Sequence, residues 1–210
     1  MGGGSAEIKA LYEITPLLGI SKFLGGNCEV RYARGYDIPA KKESDHNWQE
    51  DSLDASKAAA ETAKETEDSA RLRKEAVELA KEYKHVIYVG GLNHDQDLEG
   101  QDRADLTLPY GQDRLITELL EVRSDMTIVM LAGSPVSMKP WADRAKAIVW
   151  MSYSGMEGGT ALAEVLFGAV NPSGKLAETL PEEIPECFRK EAYFPGRPLT
   201  DEEKKHMNAH

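Results

Sequence analysis

Three short apolar runs constrain the fold of this chain more than anything else in it: His85-Val86-Ile87-Tyr88-Val89-Gly90, Met126-Thr127-Ile128-Val129-Met130-Leu131-Ala132-Gly133 and Ala147-Ile148-Val149-Trp150-Met151-Ser152-Tyr153. Each is rich in β-branched residues and closes near Gly or Ser, the pattern of a strand buried on both faces. None approaches the roughly 18 to 20 apolar residues of a membrane span. Between and after them the period changes to that of a helix. Leu115, Ile116, Leu119 and Leu120 predict a helix over 111–122, and Leu162, Val165 and Leu166 predict another over 157–167, with Gly168 as the stop. Strands alternating with helices imply an α/β fold with a mostly parallel sheet.

The remaining segments are weaker signals. Val30 and Tyr32 alternate with Arg31 and Arg34, which suggests a further strand over 28–36, and residues 175–180, between Asn171-Pro172-Ser173-Gly174 and Pro181, suggest an edge strand. The stretch 52–84 lacks Gly and Pro and is dominated by Ala, Glu, Lys and Arg. It predicts one long or two shorter helices, with Ala76, Val77, Leu79, Ala80 and Tyr83 packing on the sheet. Its first part, 52–75, reads as a solvated face or an insertion. After Pro181 the composition turns to that of a tail or linker, so 1–181 is taken as the domain and 182–210 as the tail.

Charge and cysteine content exclude several functions. A net charge of −11 repels a phosphate backbone, which argues against nucleic-acid binding. Cys28 and Cys187 cannot make a disulfide framework or a zinc-ligand set and are expected to be ordinary thiols. His206 and His210 have the i, i+4 spacing of a zinc helix without the intervening Glu, and no metal or cofactor is expected. Met1-Gly2-Gly3-Gly4-Ser5 lacks the basic and apolar regions of a secretory signal, and localisation is left open. Neither a Gly-x-Gly-x-x-Gly loop nor a phosphate loop with its Lys-Ser/Thr occurs, so nucleotide binding would rest on topology alone.

In a parallel sheet, ligands bind beyond the carboxyl ends of the strands. The loop after the first run, Gly91-Leu92-Asn93-His94-Asp95-Gln96-Asp97-Leu98-Glu99-Gly100-Gln101-Asp102-Arg103, holds four carboxylates and a His. It can be a solvated turn. It begins like a calcium loop of the EF-hand type, but the ninth position falls on Arg103 and the twelfth on Leu106, where a bidentate Glu is needed, so that match fails. Third, neighbouring carboxylates raise one another's proton affinity, so one can serve as a general acid while Arg103 and Arg114 hold the others ionised.

The same loop, followed by Leu106-Thr107-Leu108-Pro109-Tyr110-Gly111-Gln112, closely resembles the C-terminal α/β sandwich domain of glycoside hydrolase family 3, the β-glucosidase family. Leu131-Ala132-Gly133-Ser134-Pro135-Val136, Tyr153-Ser154-Gly155-Met156-Glu157-Gly158-Gly159, Asn171-Pro172-Ser173-Gly174-Lys175-Leu176 and Gly2-Gly3-Gly4-Ser5 with Pro16-Leu17-Leu18-Gly19-Ile20 continue the resemblance in order. It implies helices on both faces of the sheet and retaining hydrolysis of β-glucosides or related oligosaccharides. The implied general acid/base is Glu99, with Asp97 as the alternative. His94, Asp95 and Arg103 are implied as substrate-binding or loop-supporting residues, and Asp102 with Arg103 as an ion pair fixing the loop. The nucleophilic Asp of the family sits on an N-terminal (β/α)8 barrel, which needs about 250 residues and is expected as a partner domain or chain. The family's domain also begins with a buried strand before its Gly-Gly-Gly-Ser segment, and that strand is expected to be missing here. A non-catalytic carbohydrate-binding or interaction module of the same fold is the alternative function.

Overall fold

The computed structural model describes residues 8–39, 66–97, 103 and 105–185. Glu99, Asp102, Cys187, the stretch 52–65 and the tail beyond 185 lie outside the described residues. Among those described, the elements are α1 (Pro16–Leu24), α2 (Glu67–Glu82), β1 (Ile87–Gly91), α3 (Gln112–Val122), β2 (Thr127–Leu131), β3 (Ala147–Trp150) and α4 (Gly158–Leu166). The three apolar runs form a parallel sheet in the order β1-β2-β3. Gly91 pairs with Leu131 and Met130 with Trp150, so the strands end at one level and their following loops share one edge of the sheet.

β2 is the centre of the fold. Ile128 and Met130 are wholly buried in a core shared with Leu115, Ile116, Leu119 and Leu120 of α3 and with Trp141 and Val136. Val129 points the opposite way and is equally buried, so the central strand is covered on both faces. β3 departs from the expected burial on both faces. Ala147 and Ile148 at its start are exposed, and among the described residues β3 pairs with β2.

α2 packs chiefly against α3 rather than on the sheet. Ala76 and Ala80 are buried at this contact, while Arg73 of α2 is buried against Glu118 of α3, with Nε 3.2 Å from both carboxylate oxygens. Arg123, just past α3, donates to the carbonyls of Ala80 and Lys81 at 2.8 and 2.7 Å and so satisfies the end of α2.

Among the described residues, two of the expected strands do not form. Residues 28–36 cross the surface unpaired; Tyr32 and Arg31 are exposed, and Arg31 pairs locally with Glu29. Ala33 and Tyr36 rest on the core, and the Asp37 amide donates to Ser69 of α2 at 2.9 Å. The alternation of Val30 and Tyr32 does not mark the side chains that touch the core, since Tyr32 is exposed and Ala33 and Tyr36 make that contact. Residues 175–180 are also unpaired, and 175–179 are exposed. Conversely, α1 was not expected as a helix. Thr15 caps its start by accepting from Leu18, Pro16 opens it and Gly25, at φ 57°, closes it.

Candidate functional site

The loops after β1, β2 and β3 meet at the carboxyl edge of the sheet, and the described part of the acidic loop is built from its first turn outward. Asn93 Oδ1 accepts from the amide of Asp95, and its carbonyl accepts from the amides of Gln96 and Asp97. Asn93 Nδ2 donates to the hydroxyl of Tyr110 at 2.9 Å. Tyr110 is buried at a φ of 63°, a region that costs a bulky side chain, and stacks on Tyr36 with ring centroids 6.0 Å apart. Burial pushes the Tyr36 hydroxyl up to about 12.

Beneath the turn, Gln112 at the start of α3 is fully buried. Its Oε1 accepts from the Tyr88 hydroxyl at 2.7 Å and the Gly91 amide at 2.8 Å; its Nε2 donates to the carbonyls of Gly91 and Pro109. The adjacent Asp113 accepts from Trp141 Nε1 at 2.8 Å and from the Leu108 amide. Desolvation raises the Asp113 carboxyl above its ordinary value, against the lowering effect of those two bonds. The first two residues of α3 therefore tie the end of β1 and the segment after β2 to one helix end.

The acidic loop is fastened twice to the loop after β2. Asp97 Oδ2 accepts from the Gly133 amide at 2.9 Å and from the Tyr153 hydroxyl at 2.7 Å, which also brings in the loop after β3. Arg103 donates from Nη1 to the Pro135 carbonyl at 2.8 Å and from Nη2 to the Thr107 carbonyl at 3.0 Å. Burial lowers the proton affinity of Arg103, while burial and then the bond to Asp97 raise that of the Tyr153 hydroxyl. Of the residues the sequence singles out, Asp97 and Arg103 are thus brought together. His94 is exposed on the turn and Asp95 is half-buried beside it. Arg114, expected to hold loop carboxylates, is engaged with Glu118 one turn along α3 at 3.0 Å, while the loop carboxylates Glu99 and Asp102 lie outside the described residues. Among the described residues, no group of three or more His, Cys, Asp or Glu is placed to hold a metal ion.

Sequence reasoning missed Tyr153, the Gly133 amide, Gln112 and Asn93. The signal for Tyr153 is its position at the end of the third apolar run, level with the acidic loop once the strands are aligned. For Gln112 it is a polar residue heading an otherwise apolar helix face.

The sequence pattern of the family described as Glycosyl hydrolase family 3 C-terminal domain matches residues 1–207. A beta-glucosidase of Bacteroides ovatus is 39% identical over 211 residues, covering 97% of this chain and 26% of that protein. The probable beta-glucosidase J of Emericella nidulans is 47% identical over 111 residues, 53% of this chain and 13% of that one. Among solved structures, a GH3 beta-glucosidase of Bifidobacterium adolescentis superposes with a TM-score of 0.65 at 30% identity, over 85% of this chain and 22% of the other. A beta-glucosidase of Erythrobacter marinus gives a TM-score of 0.68 at 27% identity, over 86% and 24%. The chain therefore spans about a quarter of the length of the Bacteroides relative and less of the Emericella one.

Proposed function

The chain belongs to the glycosyl hydrolase family 3 C-terminal domain family, and on that basis we propose that it supplies the general acid/base of a retaining β-glucosidase. Glu99 is the proton donor, and the nucleophilic Asp comes from a (β/α)8 barrel. In the first step Glu99 gives its proton to the glycosidic oxygen as the bond to the anomeric carbon breaks and the Asp forms a glycosyl ester. In the second, Glu99 takes a proton from the water that hydrolyses the ester. The substrate is a β-glucoside or related oligosaccharide. His94 and Asp95 orient the sugar, and Arg103 supports the loop.

One observation carries this reading. Asp97 and Arg103, which flank Glu99 in sequence, are both fastened to the loop after β2, through Gly133 and Pro135, at the edge of the sheet where α/β folds bind ligands. A solvated acidic turn has no need of two such fastenings.

The test exchanges this chain for the segment it matches in the Bacteroides ovatus beta-glucosidase and assays the chimera and the isolated chain on aryl β-glucosides. The chimera should turn over and the isolated chain should not. In the chimera, Glu99→Gln should lose about 10²- to 10⁴-fold, most with poor leaving groups. Turnover by the isolated chain overturns the need for a barrel, and an active chimera indifferent to Glu99→Gln overturns the role of Glu99. Sugar binding with no turnover by a folded chimera would favour a carbohydrate-binding module.

A further inference from the structure

The acidic loop has two carboxylates that the resemblance leaves as candidates for the acid/base, and the geometry treats one of them in a particular way. Among the described residues, two hydrogen bonds to the Asp97 carboxylate converge on Oδ2, from the Gly133 amide at 2.9 Å and the Tyr153 hydroxyl at 2.7 Å. That oxygen is filled as an acceptor from two different loops. A Cβ on Gly133, the residue facing it, would press on Asp97 Oδ2 and on the Tyr153 ring together, so a larger residue there displaces both side chains. Tyr153 is half-buried, so the contact is partly shielded from water. Arg103 stands close enough for its charge to act on Tyr153, and for that of Asp97 to act on Arg103 in turn. Three loops thus meet at a single carboxylate oxygen.

We propose that Asp97 and Tyr153 form a clasp with the Gly133 amide that positions the stem of the acidic loop, making both of them positioning residues for the glycosidase reaction. The proposal rests on the reading that this loop carries the acid/base. The clasp requires of residue 97 only an acceptor oxygen, which an asparagine amide provides in the same place. A general acid requires an ionisable group, which asparagine lacks. Replacing Asp97 by Asn therefore separates the two roles at one position.

The experiment uses the chimera described above for kinetics and the 210-residue chain for hydrogen exchange. Asp97→Asn should keep kcat/KM within about 3-fold of the parent, with an unchanged pH–rate profile, because the accepting oxygen survives. Asp97→Ala and Tyr153→Phe should each lower kcat/KM by about 10- to 100-fold, equally for good and poor leaving groups, as expected of a misplaced loop. In the isolated chain, the Gly133 amide should stay protected in Asp97→Asn and exchange faster in Asp97→Ala. That comparison needs no activity and reveals any variant that fails to fold.

The clasp is overturned if Asp97→Asn erases the basic limb of the pH profile and slows poor leaving groups selectively, which would make Asp97 the acid. It is equally overturned if Asp97→Ala leaves both kinetics and Gly133 exchange unchanged. Glu99→Gln is measured in parallel. If it has no effect, the assignment of Glu99 fails, while the contrast between Asn and Ala at position 97 still decides the clasp.

Discussion

Gly19 of α1 and Gly159 of α4 meet backbone to backbone. A methyl group on Gly19 would land on the carbonyl of Gly159, and one on Gly159 would land on the carbonyls of Ile14 and Thr15. The same contact is sewn by the Ile14 amide donating to Met156 at 2.8 Å and the Gly159 amide donating to Ile14 at 2.9 Å. Alanine at position 19 improves helix propensity by up to about 1 kcal/mol. The clash with backbone atoms outweighs it, and overpacking of this kind costs about 1 to 3 kcal/mol. Gly19→Ala should therefore lower the denaturation midpoint of the chain, whereas Gly174→Ala, which meets nothing within 4 Å, should leave it unchanged. Urea titrations of the two variants beside the parent check this.

Gln112 makes four hydrogen bonds in a fully buried position, two as acceptor and two as donor. Gln112→Ala strands the Tyr88 hydroxyl and the Gly91 amide without their acceptor, and each such buried group costs about 1 to 3 kcal/mol. A loss of about 2 to 6 kcal/mol is expected in chemical denaturation. Gln112→Glu keeps the shape but, once ionised, faces two carbonyls with no donor. Its destabilisation should thus be larger at neutral pH than at acid pH, where the protonated carboxyl can still donate one bond. Equal loss at both values would count against the donor role of Nε2.

The three strands and helices α3 and α4 were legible because each carries its own period. The failures lie where a property depends on a neighbour. Residues 28–36 alternate as a strand does, yet they form no strand, and Tyr32 is exposed. The run Ala147 to Trp150 is as β-branched as the other two, and only the three-dimensional structure shows that its start is exposed. α1 was hidden for another reason. Leu17 and Leu18 are exposed, so its apolar pattern does not follow a buried stripe, although Thr15, Pro16 and Gly25 punctuate it plainly. In the candidate site, an acidic loop could be read directly. The partnership of Asp97 with Tyr153 spans 56 residues and exists only because the parallel register brings the ends of β1 and β3 level.

Asp113 links stability to pH. Desolvation raises its carboxyl above the ordinary value in the folded chain. The folded state therefore holds this proton more tightly than the unfolded one, and the associated stability is complete below the unfolded value and lost as pH rises through the folded value. Asp113→Asn removes the titration. The variant should gain on the parent as pH rises from about 3 toward neutrality, starting from the ordinary carboxyl range. Its absolute stability also reflects the loss of one of the two acceptors now used by Trp141 and Leu108. Denaturation midpoints of the pair across that range check the slope of the difference. A difference that shrinks with rising pH would reverse the sign.

Arg103 donates to two carbonyls from two different nitrogens, Pro135 through Nη1 and Thr107 through Nη2. The planar fork presents both donors at once, and a lysine ammonium at the end of a flexible stem does not reproduce that geometry. Arg103→Ala should cost about 1 to 2 kcal/mol, since the guanidinium is partly solvated. Arg103→Lys should lose most of the same amount despite keeping the charge. If charge alone mattered, as in an ion pair with Asp102, lysine would recover most of the loss. Thermal denaturation of the two variants at low and moderate salt separates these outcomes, because a bond to neutral carbonyls is far less sensitive to screening than an exposed ion pair.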